Sequence, residues 1–311
     1  MELSIVALAV ILLPQFLSGD GKNVHKVTKT RREFEEEIGI KEPSIDPSSA
    51  VNARGRSPYL VLIVISRPEA LHERMAIRRT WTKSADSCGI KIIFAFGGFF
   101  KLKSLRDDLA AEEAAFKDVL QFDHLRDRYY ATYSLVLHAL HWARRNHPGA
   151  KFFGKANDDV WINFPRLVEF LARPARAKDF ILGHFVDSSS QIATELYEDF
   201  SMITDAEPIM FAVGHLWIVP VYTLEKVLRV ASVLAPNATL VADIVITGEF
   251  RRYRKIVASN VADYVNLWDL SEKPGCTVRN YTLLHGVFSQ QKYDFDSLLC
   301  LSSLTCPSRE R

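Results

Sequence analysis

The sequence contains little cysteine, no large excess of charge and no serine-hydrolase signature. Its four cysteines include no CxxC pair, so a zinc site of the cysteine-rich type is not expected. Basic and acidic side chains number 39 and 37, which gives no reason to expect nucleic acid as a main partner. The missing GxSxG motif argues against a secreted α/β hydrolase. With 48% hydrophobic and 24% charged residues, the 311-residue chain has instead the composition of a globular protein.

The N-terminal residues have the character of an export or membrane signal. The stretch from Leu3 to Leu17 is almost wholly apolar and uncharged, yet it falls short of the ~20 residues that a comfortable membrane span needs. Residues 1–19 therefore predict a signal anchor or a cleaved signal peptide, and a buried first strand or helix is a third alternative. The basic residues follow the apolar run instead of preceding it, which favours cleavage.

A polar segment separates this signal from the rest of the chain. Residues 20–57 are rich in charge, proline and serine, which predicts a stem or linker before a folded domain over residues 58–311. Two N-glycosylation sequons, at Asn237 and Asn280, add to the indication of the secretory pathway. In an oxidising compartment the three C-terminal cysteines would form one disulfide and leave one thiol, with the pairing open: Cys276, Cys300 and Cys306.

From Tyr59 onward the sequence alternates short β-rich runs with longer helical patterns. This alternation predicts an α/β domain with a mainly parallel sheet and helices on both faces. The predicted strands are Tyr59–Ile65, Ile90–Phe96 and Lys151–Lys155, and the predicted helices run from Pro68 to about Trp81, from Ser104 to Phe116 and from about Asp127 to Asn146.

Two adjacent carboxylates, Asp158 and Asp159, follow the predicted strand Lys151–Lys155 almost directly. Ligands of open α/β sheets bind beyond the carboxyl ends of the strands, so these acids are expected to face a binding crevice. Neighbouring carboxylates repel each other unless a cation is present, and hard divalent ions prefer oxygen ligands. The pair therefore predicts a metal and diphosphate site, with an Asx turn before the helix that Asn163 and Pro165 would begin as an equal alternative.

Six segments of the chain resemble, in order and spacing, the β-1,3-glycosyltransferases of glycosyltransferase family 31. That family includes β-1,3-galactosyltransferases and β-1,3-N-acetylglucosaminyltransferases. Several ordered motifs are far more specific than any one of them alone. The segments are Arg74–Trp81 (RMAIRRTW), Phe94–Gly97, Asp118–Gln121, Asp127–Tyr129 followed by Trp142, Ala150–Asn163, and Asp243–Gly248.

The resemblance implies a GT-A type fold, with one α/β domain that binds a UDP-sugar and a Mn²⁺ ion bridging the diphosphate and an acidic motif. It implies transfer of galactose or N-acetylhexosamine, with inversion, in β-1,3 linkage to a glycan, glycoprotein or glycolipid. Further expectations are a Golgi membrane location with a lumenal domain, or secretion if the signal is cleaved. The membrane would be a partner through an uncleaved N-terminus, and nucleic acid would not be a partner.

The resemblance also assigns roles to the acidic residues. Asp159 would be the first metal ligand, and Asp158 would be a second ligand or would orient the donor sugar and ribose. Asp243 would be the base that takes the proton of the acceptor hydroxyl. An aspartate between apolar residues can also cap the helix that follows it, so capping is the alternative for Asp243.

Three further residues are candidates for binding the UDP-sugar. Arg78 and Arg79 could bind the diphosphate, or they could complement the dipole at the end of their helix. Gly214 lies where the family has a small, glycine-rich turn before an aromatic residue, but this chain reads AVGHLW over Ala212–Trp217, which predicts a narrower donor pocket. Neither His215 nor His285 receives a role from the sequence.

Other departures from the family pattern supply an alternative function. Asn157 replaces the first acid of the usual triplet, Ala242 replaces the acid before Asp243, and Leu135 stands where the family usually has a lysine in the central helix. The alternative is a catalytically silent glycosyltransferase-like protein of the secretory pathway that binds a glycan or a nucleotide without turnover.

Overall fold

The computed structural model describes residues 39–47, 57–98, 103–125, 132–173, 178–196, 208–233, 241–266, 281–287 and 289–300. The N-terminal signal, the asparagines of both sequons and the Asp127–Tyr129 segment lie outside these residues. Within the described ranges, no helix is both long enough and apolar enough to span a membrane.

A seven-stranded, mostly parallel sheet forms the centre of the domain. Its strand order is β3-β2-β1-β4-β7-β6-β8, and β7 is antiparallel to both of its neighbours. A second sheet has three short strands in the order β5-β10-β9. The strands are β1 (Leu60–Ile65), β2 (Ile90–Gly97), β3 (Val119–Phe122), β4 (Phe152–Asn157), β5 (Val160–Ile162), β6 (Phe180–Asp187), β7 (Met210–Pro220), β8 (Val257–Asn260), β9 (Val265–Asn266) and β10 (Leu283–His285).

Helices cover both faces of the large sheet. One face packs against α3, α6 and the π-helical segment, and the other packs against α1, α4 and α8. The helices are α1 (Leu71–Cys88), α2 (Lys103–Phe116), α3 (Thr132–Asn146), α4 (Phe164–Ala172), α5 (Gln191–Leu196), α6 (Val221–Val233), a π-helical segment (Ile244–Phe250), α7 (Arg251–Arg254) and α8 (Ser289–Cys300). The predicted α/β architecture is therefore present.

The alternation of side chains along β1 shows why this strand is apolar throughout. Leu60, Leu62 and Val64 pack into the core on the α1 face, whereas Val61 and Ile63 pack into the core on the α3 face. All five are fully buried, as expected for a central strand of a sheet that is covered on both sides.

Helix α1 extends beyond the predicted end at Trp81, to Cys88. It stops at Gly89, whose φ of 65° lies in the left-handed region that favours glycine, and the N–H of Gly89 donates to carbonyls of the last turn. Cys88, which had no predicted partner, is disulfide-bonded.

Part of the predicted stem contacts the domain. Ile45 forms an antiparallel bridge with Gln121 on β3, the last strand at that edge of the sheet. The indole Nε1 of Trp142 on α3 donates to Asp46 Oδ1 at 2.9 Å. Residues 39–47 thus cover a sheet edge that would otherwise expose unpaired backbone groups.

Candidate active site

The Asp158–Asp159 pair occupies the tight turn between β4 and β5, at the carboxyl end of β4. The N-cap of α4 is Asn163, whose Oδ1 accepts from the N–H of Arg166 at 3.2 Å. The helix-capping role that was the alternative for this segment therefore belongs to Asn163. The turn is fixed by backbone hydrogen bonding, since the N–H of Val287 donates to the Asp159 carbonyl at 2.9 Å. Both carboxylates therefore sit where open α/β sheets bind their ligands.

The three-stranded sheet brings His285 to the turn. Strand β10 pairs antiparallel with β5, and His285 is opposite Val160, the residue that follows Asp159. As a result the His285 Nε2 lies 3.4 Å from the Asp159 Oδ2.

A large bulge in β7 brings His215 close to Asp159 and His285. The β6–β7 pairing places Gly183 opposite Trp217 but Phe185 opposite Ala212, so the four residues 213–216 oppose His184 alone. Bulges of this kind redirect side chains and are common beside functional sites. His215 lies one residue beyond the last β4–β7 pair, Ala156 with Leu216, at the end of β4.

Asp159, His215 and His285 form a compact donor cluster. One ligand atom of each lies within 4.8 Å of the other two. The two imidazole rings stack with their centroids 3.6 Å apart. The Asp159 Oδ1 and both ring nitrogens of His215 are buried and, within the described part of the chain, have no hydrogen-bond partner. Buried polar atoms without partners are rare in folded proteins, so this concentration needs an explanation.

The electrostatics of the cluster suit ligand atoms. Burial, followed by repulsion from His285, lowers the pKa of His215 well below its usual value, which favours the neutral imidazole that binds metals. Burial alone would raise the pKa of Asp159, but the hydrogen bond and charge of His285, with His215 and Lys155, outweigh it and lower that pKa. The carboxylate is thereby kept ionised beside two imidazoles.

This donor set fits a divalent cation. One carboxylate and two imidazoles form a common ligand set for first-row transition ions, and three protein ligands leave further positions for substrate oxygens. A cation would also satisfy the buried Asp159 Oδ1 and one His215 nitrogen. We identify Asp159, His215 and His285 as the residues that would hold it, so one of the two predicted metal ligands belongs to the cluster.

Asp158, predicted as a second ligand or as a group that orients the donor sugar and ribose, lies outside this cluster and contacts Ser66. Its Oδ2 accepts from the Ser66 hydroxyl at 2.7 Å, and Ser66 Oγ accepts from Arg74 Nη1 at 3.2 Å. Burial raises the pKa of Asp158, the Ser66 hydrogen bond opposes that rise, and Asp159 adds to it. Ser66 follows β1, so the ends of two adjacent parallel strands hold Asp158 between them.

A lysine that the sequence did not indicate lies close to this pair. Lys292 on α8 is fully buried, and its Nζ donates to the Val287 carbonyl. Burial lowers its pKa to about 8, although Asp158 and Asp159 oppose that change.

The two predicted diphosphate-binding arginines have different surroundings. Arg78 donates to Asp118 through Nε and Nη2, at 2.9 and 2.7 Å, and its Nη2 also lies 2.7 Å from Glu112 Oε1. Its guanidinium lies over the Phe94 and Phe116 rings, so its charge is already balanced by the protein. Arg79 is exposed on α1. The structure connects Arg78 to Asp158 through Glu112, Arg74 and Ser66.

Asp243 lies directly beneath the bulge. Its side chain does not cap the helix that follows. Instead Trp217 Nε1 donates to Asp243 Oδ1 at 2.8 Å, and Lys155 Nζ lies 3.2 Å from the same oxygen and 2.6 Å from the Gly214 carbonyl. A Cβ on Gly214 would be 2.2 Å from Asp243 Oδ2, so glycine is needed for this close approach. The structure therefore brings Gly214 close to Asp243, and Asp243 forms a buried ion pair with Lys155.

The structure is therefore that of an α/β protein with one carboxylate and two imidazoles, a set of side chains suited to a metal ion, at the carboxyl edge of a mostly parallel sheet. Sequence comparison then gives the family. The family model described as Galactosyltransferase matches residues 72–262, and the chain belongs to this family. With the observed sheet, this membership confirms the expected GT-A type domain and the resemblance to glycosyltransferase family 31.

Curated relatives match parts of the chain. It is 32% identical over 162 residues to the lactosylceramide 1,3-N-acetyl-beta-D-glucosaminyltransferase of Mus musculus, covering 47% of this chain and 43% of that protein. It is 33% identical over 133 residues to the beta-1,3-galactosyltransferase 4 of Homo sapiens, covering 41% and 35%. The match thus spans less than half the length of either relative. A solved glycosyltransferase involved in glycosylation of the major capsid of PBCV-1 aligns with a TM-score of 0.46 at 10% identity, covering 77% of this chain and 100% of that one.

Sequence reasoning missed both histidines of the cluster. His285 has no acid or thiol at ligand spacing, and a pairing of distant strands brings it to Asp159. A signal for His215 did exist, because a bulky imidazole follows Gly214 where the family has a small turn.

Proposed function

We propose that this domain transfers a hexosyl group, galactose or N-acetylhexosamine, from a UDP-sugar to a hydroxyl of a glycan, glycoprotein or glycolipid. The product would carry a β-1,3 linkage with inversion at the anomeric carbon, and the reaction would require Mn²⁺. The observation that carries the proposal is the Asp159–His215–His285 cluster at the carboxyl edge of a galactosyltransferase-family sheet. The names of the two relatives, a 1,3-N-acetyl-beta-D-glucosaminyltransferase and a beta-1,3-galactosyltransferase, support the transferred sugar and the linkage.

Different residues would bind the divalent ion and the donor sugar. Asp159, His215 and His285 would hold the divalent ion, which when bound neutralises charge on the departing diphosphate. Asp158, fixed by Ser66, would accept a hydrogen bond from a hydroxyl of the donor sugar or of its ribose. The buried Lys292 adds positive charge behind both carboxylates and limits their mutual repulsion.

Asp243 is our proposal for the base. A direct displacement needs a group that takes the acceptor proton, and a carboxylate is a suitable one. The contacts of Asp243 with Lys155 and Trp217 fix its position, and the side chain is buried, with 5% exposure. This burial favours the second candidate function, in which the domain binds nucleotide or glycan without turnover.

Transfer assays with purified protein, a set of UDP-sugars and added Mn²⁺ test the main proposal. Asp159→Asn should lower the rate at least ~100-fold, because it replaces a charged ligand with a neutral one at the point where leaving-group charge is stabilised. Asp187→Asn, an exposed aspartate at the end of β6, is the matched control and should retain the wild-type rate. Equal rates for Asp159→Asn and wild type would show that the site is assigned wrongly.

A comparison of Asp243→Asn with Lys155→Met tests the base. Both variants break the same buried ion pair, so a purely structural role for Asp243 predicts similar losses of stability and of kcat. A base predicts a further loss of ~100-fold or more in kcat for Asp243→Asn alone. If wild type binds UDP in the presence of Mn²⁺ but neither hydrolyses nor transfers any donor, the second candidate holds instead.

We also propose that the domain is lumenal, joined by residues 20–57 to an N-terminal signal that anchors it in the Golgi membrane or is cleaved before secretion. The apolar run at Leu3–Leu17 and the sequons at Asn237 and Asn280 support this location. Protease protection in microsomes, with N-terminal sequencing of the mature protein, distinguishes the anchored form from the secreted one. A protein that proteases digest in intact microsomes would contradict both forms.

A further inference from the structure

We infer that His215 is a third protein ligand which allows this chain to bind its divalent ion before any nucleotide arrives, with a preference for Co²⁺ or Zn²⁺ over Mn²⁺ and for Mn²⁺ over Mg²⁺. The inference deepens the metal site of the proposed function, but it does not depend on sugar transfer. It rests on three independent features of His215: its backbone position, the lack of a hydrogen-bond partner for either ring nitrogen among the described residues, and its neighbours.

The backbone places His215 at the site by means of a local irregularity. Four residues of β7 oppose one residue of β6, and without these extra residues a regular ladder would continue through this position. The bulge puts Gly214 over the Asp243–Lys155 pair and His215 beside Asp159 and His285. A departure from regular pairing that delivers one side chain to a cluster is typical of a functional position.

The imidazole of His215 is poorly explained as a packing residue. It is 6% exposed, and neither ring nitrogen has a hydrogen-bond partner among the described residues. A buried polar atom without a partner costs about 1–3 kcal/mol, so an apolar side chain of similar size would pack there at lower cost. His184, the residue opposite the bulge, and His215 line one cavity, but His184 is not part of the donor cluster.

Three protein ligands change how the ion is held. A site with one or two protein ligands needs oxygens from the nucleotide to complete its coordination, whereas one carboxylate and two imidazoles can retain an ion without it. Imidazole ligands also bind first-row transition ions in preference to Mg²⁺. Among those ions, the affinity of such a site is higher for Co²⁺ and for Zn²⁺ than for Mn²⁺. Metal affinity in the absence of nucleotide is therefore the property that His215 should control.

Metal titration of the full chain, stripped with EDTA and free of nucleotide, tests the inference. Isothermal titration with Co²⁺, Mn²⁺ and Mg²⁺ should give saturable binding of one Co²⁺ per wild-type chain. His215→Ala should lower the Co²⁺ affinity at least ~10-fold, as expected when a metal ligand is removed. His184→Ala is the matched control, and its Co²⁺ affinity should remain within about threefold of wild type, because His184 contacts the same cavity without joining the cluster.

A second variant and a spectroscopic signal keep the result interpretable. His215→Leu fills the same space, so weakened Co²⁺ binding in both variants, each with a cooperative thermal transition in EDTA, would exclude misfolding as the cause. The visible absorption of bound Co²⁺ should change in both variants and remain unchanged in His184→Ala.

Two results would overturn the inference: wild type that binds Co²⁺ only when UDP is added, or His215 variants that bind it as wild type does. The proposed function fails separately. A chain that binds Co²⁺ without nucleotide but transfers no sugar would refute transfer and leave the role of His215 intact. Transfer by a chain that needs UDP to bind metal would do the reverse.

Discussion

Two buried polar regions meet at the carboxyl edge of the sheet, and they differ in how the protein treats them. On the α1 side, Arg74 makes two hydrogen bonds to Glu112, at 2.8 and 2.7 Å, and donates to Ser66 and to the carbonyls of Arg67 and Pro68. On the β7 side, three atoms of Asp159 and His215 are buried without a hydrogen-bond partner among the described residues. The first region completes its own hydrogen bonding, and the second does not.

The difference separates scaffold from site. A buried ion pair whose hydrogen bonds are complete can fix local geometry, and breaking it leaves an uncompensated charge. Buried donors and acceptors that the fold does not satisfy lower stability, and a bound ion is an interaction that would satisfy those of Asp159 and His215. Asp158 stands at the boundary, because its Oδ2 is bound by Ser66 of the first region while Asp159 belongs to the second.

Removal of Arg74 should have the largest effect on stability. Arg74→Met leaves Glu112 buried with Arg78 as its remaining charged partner, so we expect a loss of about 3–5 kcal/mol in the free energy of unfolding. Urea denaturation measures this loss. Arg79→Met, an exposed arginine on the same helix, should change the value by no more than about 0.5 kcal/mol. A loss below about 1 kcal/mol for Arg74→Met would mean that this region is not the scaffold.

A buried histidine outside the site, His138, sharpens the comparison, because its protonation makes the unfolding free energy depend on pH. Burial lowers the pKa of His138 on α3 to about 4, with His124 and His141 adding to the shift. The folded pKa lies below the unfolded value of about 6.5, so the unfolded chain takes up the proton more readily. The stability contributed by neutral His138 is therefore complete above pH 6.5 and is lost as the pH falls towards 4.

The expected loss from His138 over that pH range is at most about 3 kcal/mol. His138→Gln should show a flatter dependence of unfolding free energy on pH between 7 and 4.5 than wild type does. His72→Gln, which changes an exposed histidine on α1, should keep the wild-type slope. Identical slopes for His138→Gln and wild type would show that the buried His138 does not cause the pH dependence of the unfolding free energy.

Ser66 tests whether the two regions are energetically separate. Ser66→Ala removes one hydroxyl that donates to Asp158 and accepts from Arg74, so we expect a loss of about 1–2 kcal/mol in unfolding free energy. Ser87→Ala, an exposed serine on α1, is the control and should be nearly neutral. Co²⁺ affinity should change less than about threefold in Ser66→Ala, and a larger change would mean that Asp158 contributes to metal binding after all.

Much of the fold could be predicted from the sequence, because its signals are local. The apolar run of β1 and the position of Asp158 and Asp159 after β4 depend on neighbours within a few residues, so the carboxylates were expected at the sheet edge where they lie. Of the three residues in the donor cluster, only Asp159 was predicted as a metal ligand. His285 reaches Asp159 through strand pairing between distant parts of the chain, which a local pattern does not encode.

The surroundings of charged residues were also harder to predict, because they depend on contacts between distant parts of the chain. Nothing near Asp243 in the sequence indicated that Lys155 and Trp217 would bind it, since β4 and β7 bring those residues together. The balance of Arg78 by Glu112 and Asp118 likewise depends on how α1 packs beside α2 and β3. Sequence patterns can identify which residues carry charge, but the pairing of those charges is a property of the fold.

The smallest predicted effect has the opposite sign to the others and addresses the comparison most directly. In EDTA, His215→Leu replaces two unsatisfied buried nitrogens with apolar surface, so its unfolding free energy should equal that of wild type or exceed it by about 1 kcal/mol. With saturating Co²⁺ the order should reverse, because ion binding to the folded state stabilises wild type by mass action and the variant much less. Thermal unfolding with and without Co²⁺ measures both orders. A variant that is clearly less stable than wild type in EDTA would place His215 with the self-satisfied scaffold of Arg74 instead of with the site.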